Sequence, residues 1–240
     1  MEAAVSPAEV PVRPAATVMI VDDRPDLHVL LLRRRAGSAF VPGMDVFPGG
    51  GVDAHDAASD DDGLDDAAAS ARLRVANGGL AYWVAAARET LEEASIALAL
   101  DSLCYAAHWI TPPGPPRRYD TRFFLAALPP GQVAVADREE AVDAQWVRPA
   151  QALADFGSGA RAMLPPTVGM LRILASYSSA AELVRAAAHA EAAPDRRVRL
   201  ASGGKTWSVL LPDEPAHAAP AGWRVSEIDA WVRLCPYARE

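Results

Sequence analysis

Phe47-Pro48-Gly49-Gly50 and, further along, Arg88-Glu89-Thr90-Leu91-Glu92-Glu93 are the two stretches of this chain that decide its fold. At about 100° per residue the second piece fits a helix over 80–94. Leu80, Val84, Ala87 and Leu91 then share one side, and Glu89, Glu92 and Glu93 crowd the opposite one. Three like charges on one face repel, and the helix dipole disfavours them near the C-terminal end. A hard divalent cation such as Mg²⁺ or Mn²⁺ resolves that conflict, because it takes oxygen ligands of this kind. The plain alternative is a solvated acidic face. The glycines upstream argue for the cation, since Gly49 and Gly50 let backbone approach a ligand closely.

Together these residues resemble the Nudix hydrolase box, G-x5-E-x7-R-E-U-x-E-E-x-G-U, where U is apolar. Gly50 fits the first glycine, and Asp56 stands where the box has glutamate. Arg88, Glu89, Glu92 and Glu93 fit the core, and Ile96 the last apolar position. The box places its Arg 14 residues after the first Gly; Arg88 comes 38 after Gly50, so 24 residues are inserted. Thr90 replaces an aliphatic residue and Ser95 the final glycine. The resemblance implies an α/β/α sandwich with a mixed central sheet. It implies metal ligation by Glu89, Glu92 and Glu93, with Mg²⁺ or Mn²⁺, and catalysis involving Arg88, Glu92 and Glu93. Arg88 is expected to orient the carboxylates rather than touch substrate.

Outward from the box, Ala16–Val21 and His28–Leu32 are apolar and rich in β formers on either side of a polar loop, which predicts a hairpin. Arg33, Arg34 and Arg35 follow. Residues 57–79 form an acidic insertion with one short helix, expected as a surface excursion. Strands are predicted over 104–110, 117–128 and 142–147. On the second of these, Asp120, Arg122 and Phe124 share one face and Tyr119, Thr121 and Phe123 the other. Arg122 is either a structural partner of Asp120 or an anion clamp. Glu139 and Glu140 precede the third strand; Glu140 is the candidate for a further ligand or base, with a solvated loop as the alternative. Helices follow at about 149–154, 167–176 and 180–191, then a hairpin across Gly203-Gly204 and a short helix within 223–237.

The pattern L-L-x-x-R-x3-R-x3-G-x3-F-P-G-G of the coenzyme A diphosphatase-like branch is similar to Leu31, Leu32, Arg35, Gly43 and Phe47–Gly50, with Ala39 in place of the second Arg. Trp109-Ile110-Thr111-Pro112, Arg118–Phe124 and Leu164–Thr167 look more like the peroxisomal acyl-CoA diphosphatase type. The branch resemblance implies substrate binding by Arg35, Gly49, Gly50, Arg118 and Arg122.

Length and composition set the frame. The 240 residues are 51% hydrophobic, enough for one domain with extensions. The organisation read from the sequence is a leader over 1–14, the hydrolase domain over 15–155 and a mainly helical extension over 156–240. A net charge of −8 speaks against nucleic-acid binding. No apolar run reaches the ~20 residues of a membrane span. Only Cys104 and Cys235 are present, which points to a reducing cytoplasm rather than a disulfide framework. The expected partner is a small-molecule diphosphate, with neither nucleic acid nor membrane, and at most a second copy of the chain in a homodimer. The branch resemblance implies hydrolysis of the diphosphate of coenzyme A or acyl-CoA; nucleotide sugars, dinucleoside polyphosphates or NADH are the alternative, which the box alone does not separate. A non-catalytic nucleotide-binding regulator is the reading from another class.

Overall fold

Strand β1 (Val12–Asp23) runs through the centre of the sheet and meets three partners. The structure, a computed structural model, describes residues 10–38, 41–58, 64–111 and 117–188, and the backbone of 195–202, 207–210 and 224–233. At its far end β1 turns back antiparallel into β2 (Leu27–Arg34), with Val21 opposite Val29. Its near end pairs antiparallel with β4 (Gly49–Gly51), Ala16 opposite Gly50. Along its other edge lies β6 (Arg118–Ala127), parallel, from Val12 beside Arg118 to Val21 beside Ala127. The outer members β3 (Asp45–Val46), β5 (Cys104–Ile110) and β7 (Ala141–Val147) join antiparallel and complete a mixed seven-stranded sheet. β1 therefore begins inside the stretch read as a leader.

Alternation along these strands builds two cores. Ala16, Val18, Ile20, Leu30, Leu32, Phe124 and Ala126 face α1 (Asp66–Leu73) and α2 (Leu80–Ala94). Met19, Val21, Val29, Leu31, Phe123 and Leu125 face α3 (Pro149–Ser158), α4 (Pro165–Leu174) and α5 (Ala180–Ala188). The result is the α/β/α sandwich with a mixed sheet that the resemblance implied. Among the described residues no helix is long and apolar enough to cross a membrane.

The bounds of α2 match the sequence reading, but its rotation does not. Trp83, Ala86, Thr90 and Ala94 are fully buried, Glu93 is 5% exposed and Leu91 is 52% exposed. The supposed apolar stripe through Leu91 is not the packed face. Alanines carry little weight in a hydrophobic period, yet their small side chains let the helix settle onto the sheet. Trp83 then reaches Phe124, ring centroids 4.7 Å apart.

The insertion is also more than a surface excursion. Leu64, Ala69 and Leu73 lie in the α2-side core. Asp65 caps α1 through the Ala68 amide, and Asp66 accepts from the amides of Gly78 and Leu80. Gly79, which caps α2, has no side chain to do so, and Asp66 supplies the anion that a helix N-terminus favours. The polyaspartate run at 60–62, Ala39 and the proline-rich 112–116 lie outside the described residues.

After α5 the chain forms a second, antiparallel sheet in the order β10-β8-β9, built from β8 (Asp195–Ser202), β9 (Trp207–Leu210) and β10 (Arg224–Arg233). The expected late hairpin is β8–β9, with Ser202 opposite Trp207. The helix expected within 223–237 is instead β10. Val225, Ile228 and Val232 have helical spacing in the sequence, and the pairing of β10 with β8 shifts register between Glu227 and Trp231.

Two substitutions follow from the box's departures. Ser95 ends α2 in the left-handed region, at φ 57° and ψ 29°, its amide donating to the Leu91 carbonyl. Glycine adopts that conformation without strain. Ser95→Gly is expected to raise stability by about 1 kcal/mol in urea unfolding. The buried Thr90 hydroxyl has no hydrogen-bond partner, and an unpaired buried polar group is costly. Thr90→Val, which keeps the shape, is expected to stabilise by roughly 1 kcal/mol. A drop in the urea midpoint would refute it.

Candidate active site

The glycine strand β4 touches the C-terminal half of α2, and this contact forms the site. At Gly49, φ is 149°, and a Cβ there would collide with the Ala16 carbonyl and the Thr17 backbone. At Gly50, a Cβ would stand 2.5 Å from the Glu89 carboxyl carbon. The missing side chains thus bring backbone directly against two carboxylates. The Gly49 amide donates to Glu93 Oε2 at 2.9 Å.

Arg88 gathers the rest. Its Nε and Nη2 donate to the two oxygens of Asp56 at 2.9 and 3.0 Å, and Nη2 also to the Gly51 carbonyl. Nη1 donates to Glu89 Oε1 at 2.9 Å and Glu92 Oε2 at 3.0 Å. Asp56, wholly buried, fixes the guanidinium, and the guanidinium fixes two carboxylates. Burial alone would raise the Asp56 carboxyl; the bonds from Arg88 and the Asp53 amide outweigh it and hold the group below its usual range.

The carboxylates differ in their surroundings. Burial pushes Glu93 up to about 8, and the charges of Glu89 and Glu140 push the same way against the Gly49 amide and Arg34. Burial also raises Glu89, opposed by Arg88. Glu92 is more open, its side chain 57% exposed. A group raised this far by burial and like charge, inside a cleft, is a signature of functional placement.

A cleft of about 630 Å³ opens over these groups. Glu89, Glu93, Glu140, Gly49, Gly50 and Arg35, all singled out from sequence, line it. Thr17, Phe47, Tyr119, Thr121, Phe123 and the start of α4 form its other walls. Arg118 and Arg122, the expected substrate arginines, are not among its lining residues. The even-numbered side chains of β6 face α2 with Phe124. Arg118 Nε donates to the Thr111 carbonyl, and Arg122 Nη1 to the Tyr105 hydroxyl. Asp120 Oδ1 bonds His108 Nε2 at 2.6 Å and lies 3.5 Å from Arg122 Nε. Their odd-numbered neighbours, Arg117 and Tyr119, line the cleft instead.

Arg34 was missed. Its Nη2 donates to Glu140 Oε2 at 3.0 Å and Nη1 lies 3.7 Å from Glu93 Oε1. The signal was available: Leu30 and Leu32 face α2, and strand period two sends Arg34, the second of the three arginines, the same way. Among the described residues no three His, Cys, Asp or Glu side chains are drawn together closely enough to hold an ion as they stand. The donor chemistry nonetheless fits a hard cation. Glu89 and Glu93 offer only carboxylate oxygen, are raised by burial, and face one cleft.

Comparison with known proteins agrees. A family model described as a NUDIX domain matches residues 11–166, most of the chain, so the chain belongs to the NUDIX family. Its fold and box make it a hydrolase of nucleoside diphosphate compounds. It is similar to the NUDIX hydrolase from Alicyclobacillus acidocaldarius: 25% identity, TM-score 0.59, with 74% of this chain and 97% of that chain covered. Weaker likenesses include a C. elegans Ap4A hydrolase in a binary complex (20% identity, TM-score 0.44, covering 69% and 100%). Another is the NUDIX domain of Shewanella oneidensis NrtR complexed with ADP ribose (16%, 0.41, 63% and 83%). These two say nothing about this chain's substrate. No curated protein matches the chain.

Proposed function

We propose that this protein is a divalent-cation-dependent hydrolase that cleaves the diphosphate of a nucleoside diphosphate joined to a second moiety. The observation that supports it best is the convergence of Glu89, Glu93 and Glu140 with the Gly49–Gly50 backbone on one cleft. Mg²⁺ or Mn²⁺, held by Glu89, Glu92 and Glu93, would neutralise the two phosphates and lower the pKa of the attacking water. The protein's own groups do the rest. The Gly49 amide fixes the Glu93 carboxylate, Arg88 presents Glu89 and Glu92, and Glu140 stands opposite as the further base or ligand. Arg35 and Arg117 bring positive charge to the cleft, suited to phosphate oxygens, while the Arg34 guanidinium is taken up by Glu140 and Glu93.

For the second moiety, nucleotide sugars, dinucleoside polyphosphates and NADH come ahead of coenzyme A and its acyl esters. A coenzyme A site must also hold a 3′-phosphate, and of the three arginines assigned to it only Arg35 lines the cleft. That remaining arginine keeps coenzyme A as the second reading. The test is turnover across a panel: a nucleotide sugar, a dinucleoside polyphosphate, NADH, coenzyme A and 3′-dephospho-coenzyme A, with Mg²⁺, with Mn²⁺ and with a chelator. Chelator-sensitive hydrolysis of at least one member is expected. Preference for coenzyme A over its dephospho form, lost in Arg35→Ala, would restore the coenzyme A reading. Failure on the whole panel with either cation would defeat the hydrolase proposal.

A further inference from the structure

Arg34 ends a strand whose preceding same-face side chains, Leu30 and Leu32, are buried against α2. Its own side chain is only 14% exposed. It leaves that core at the carboxylates, with Glu140 Oε2 at 3.0 Å and Glu93 Oε1 at 3.7 Å. Glu140 belongs to the short turn before β7, where Asp137 accepts from the amides of Glu139, Glu140 and Ala141. That turn fixes the Glu140 backbone, and the Arg35 amide donates to the Glu140 carbonyl at 2.9 Å. The Glu140 side chain itself is 62% exposed. The Arg34 guanidinium therefore contacts both the Glu140 and the Glu93 carboxylates, and both glutamates line the cleft. A long exposed side chain pays rotamer entropy to hold one geometry, and a guanidinium rooted in the core supplies the fixed point.

We infer that Arg34 is a positioning residue: it holds the Glu140 carboxylate over Glu93 and keeps the two like charges together, acting on the reaction through Glu140 and not through substrate. This rests on the role given to Glu140 in the proposed function. It makes an unusual demand. Removing Arg34 takes a positive charge from beside two carboxylates, so a divalent cation should bind more tightly while turnover falls. An arginine that merely supports the fold would lose both. One that grips substrate would raise KM.

The experiment uses the full chain with Arg34→Ala, Arg34→Lys, Glu140→Gln and the Arg34→Ala/Glu140→Gln double variant. Three quantities are read: kcat and KM on whichever panel substrate the wild type turns over, Mn²⁺ affinity of the protein without substrate, and the thermal midpoint. Arg34→Ala is expected to lower kcat roughly 10-fold to 100-fold, the lower part of the range for a positioned acid or base. KM should stay within about 3-fold, and Mn²⁺ should bind about 3-fold to 10-fold more tightly, as for loss of one neighbouring charge. Lysine should recover part of kcat. The double variant should be no slower than the slower single one, because both changes break the same arrangement. Multiplying losses in the double variant, a KM rise with kcat kept, or weaker Mn²⁺ binding in a folded Arg34→Ala protein would each overturn the inference. Should the wild type turn over no panel member, the proposed function fails, and the Mn²⁺ measurement still tests the Arg34 arrangement by itself.

Discussion

Glu93→Gln is expected to cut turnover by roughly 10²–10⁴ while the protein stays folded, the scale of losing a positioned acid–base group or a ligand of an activating cation. The amide keeps the shape and can still accept from Gly49, so the β4–α2 contact survives. Stability should respond in the opposite sense from activity. The folded Glu93 carboxyl lies at about 8, above its ordinary value of 4.5. A carboxyl raised by folding binds its proton more tightly in the native state. Its contribution is therefore complete below about 4.5 and disappears as pH rises through about 8. In cation-free buffer the wild type should lose stability across that window. Glu93→Gln should flatten the slope, and saturating Mg²⁺ should recover much of the loss in wild type only. The checks are kcat at saturating Mg²⁺ and chemical denaturation from pH 5 to 9. A folded variant with near-normal turnover would remove Glu93 from the site.

That Glu93 is buried at all was not legible from residue spacing. The sequence signals were strong where they depended on periodic contrast or on punctuation. The hairpin around Arg24–Asp26, the bounds of α2 and the two faces of β6 follow from apolar alternation and from turn residues. The carboxylates of one helical quadrant downstream of the glycines pointed to Glu89 and Glu93, and the acidic pair before the third predicted strand pointed to Glu140; all three line one cleft. What failed was rotation and direction. The core face of α2 is set by alanines that hydrophobic periodicity barely counts, and by a glycine amide 44 residues away in sequence that takes the Glu93 carboxylate. Arg118 and Arg122 sat in a motif beside the cleft, but a strand sends alternate side chains to opposite sheet faces, and theirs is the wrong one. Among the three consecutive arginines, the same alternation separates Arg34, at Glu140 and Glu93, from Arg33, which donates to Asp45.

Breaking the Arg88–Asp56 pair is expected to have the largest effect on stability. Asp56 is fully buried and meets Arg88 through two hydrogen bonds, and Arg88 links onward to Glu89, Glu92 and the Gly51 carbonyl. Asp56→Ala leaves a mostly buried guanidinium with its best partner gone, and Arg88→Ala leaves a carboxylate in the interior. Removing one partner of a buried pair costs about 3–5 kcal/mol, chiefly because the other charge stays uncompensated. Asp56→Asn retains the shape and an acceptor for the Asp53 amide, so it should cost less. The double variant, Asp56→Ala with Arg88→Ala, should be more stable than the sum of the single losses, since no lone charge remains. The pH dependence runs opposite to that of Glu93. The Asp56 carboxyl is lowered by folding, so its contribution is present above the unfolded carboxylate range and vanishes as pH falls through the folded value. Activity should fall in every one of these variants, because Arg88 then no longer presents Glu89 and Glu92 in register with Glu93. Denaturant titrations of the four proteins at pH 7 decide the matter. A loss below about 1 kcal/mol in both single alanine variants, the level of an exposed ion pair, would mean that the pair does not anchor the site.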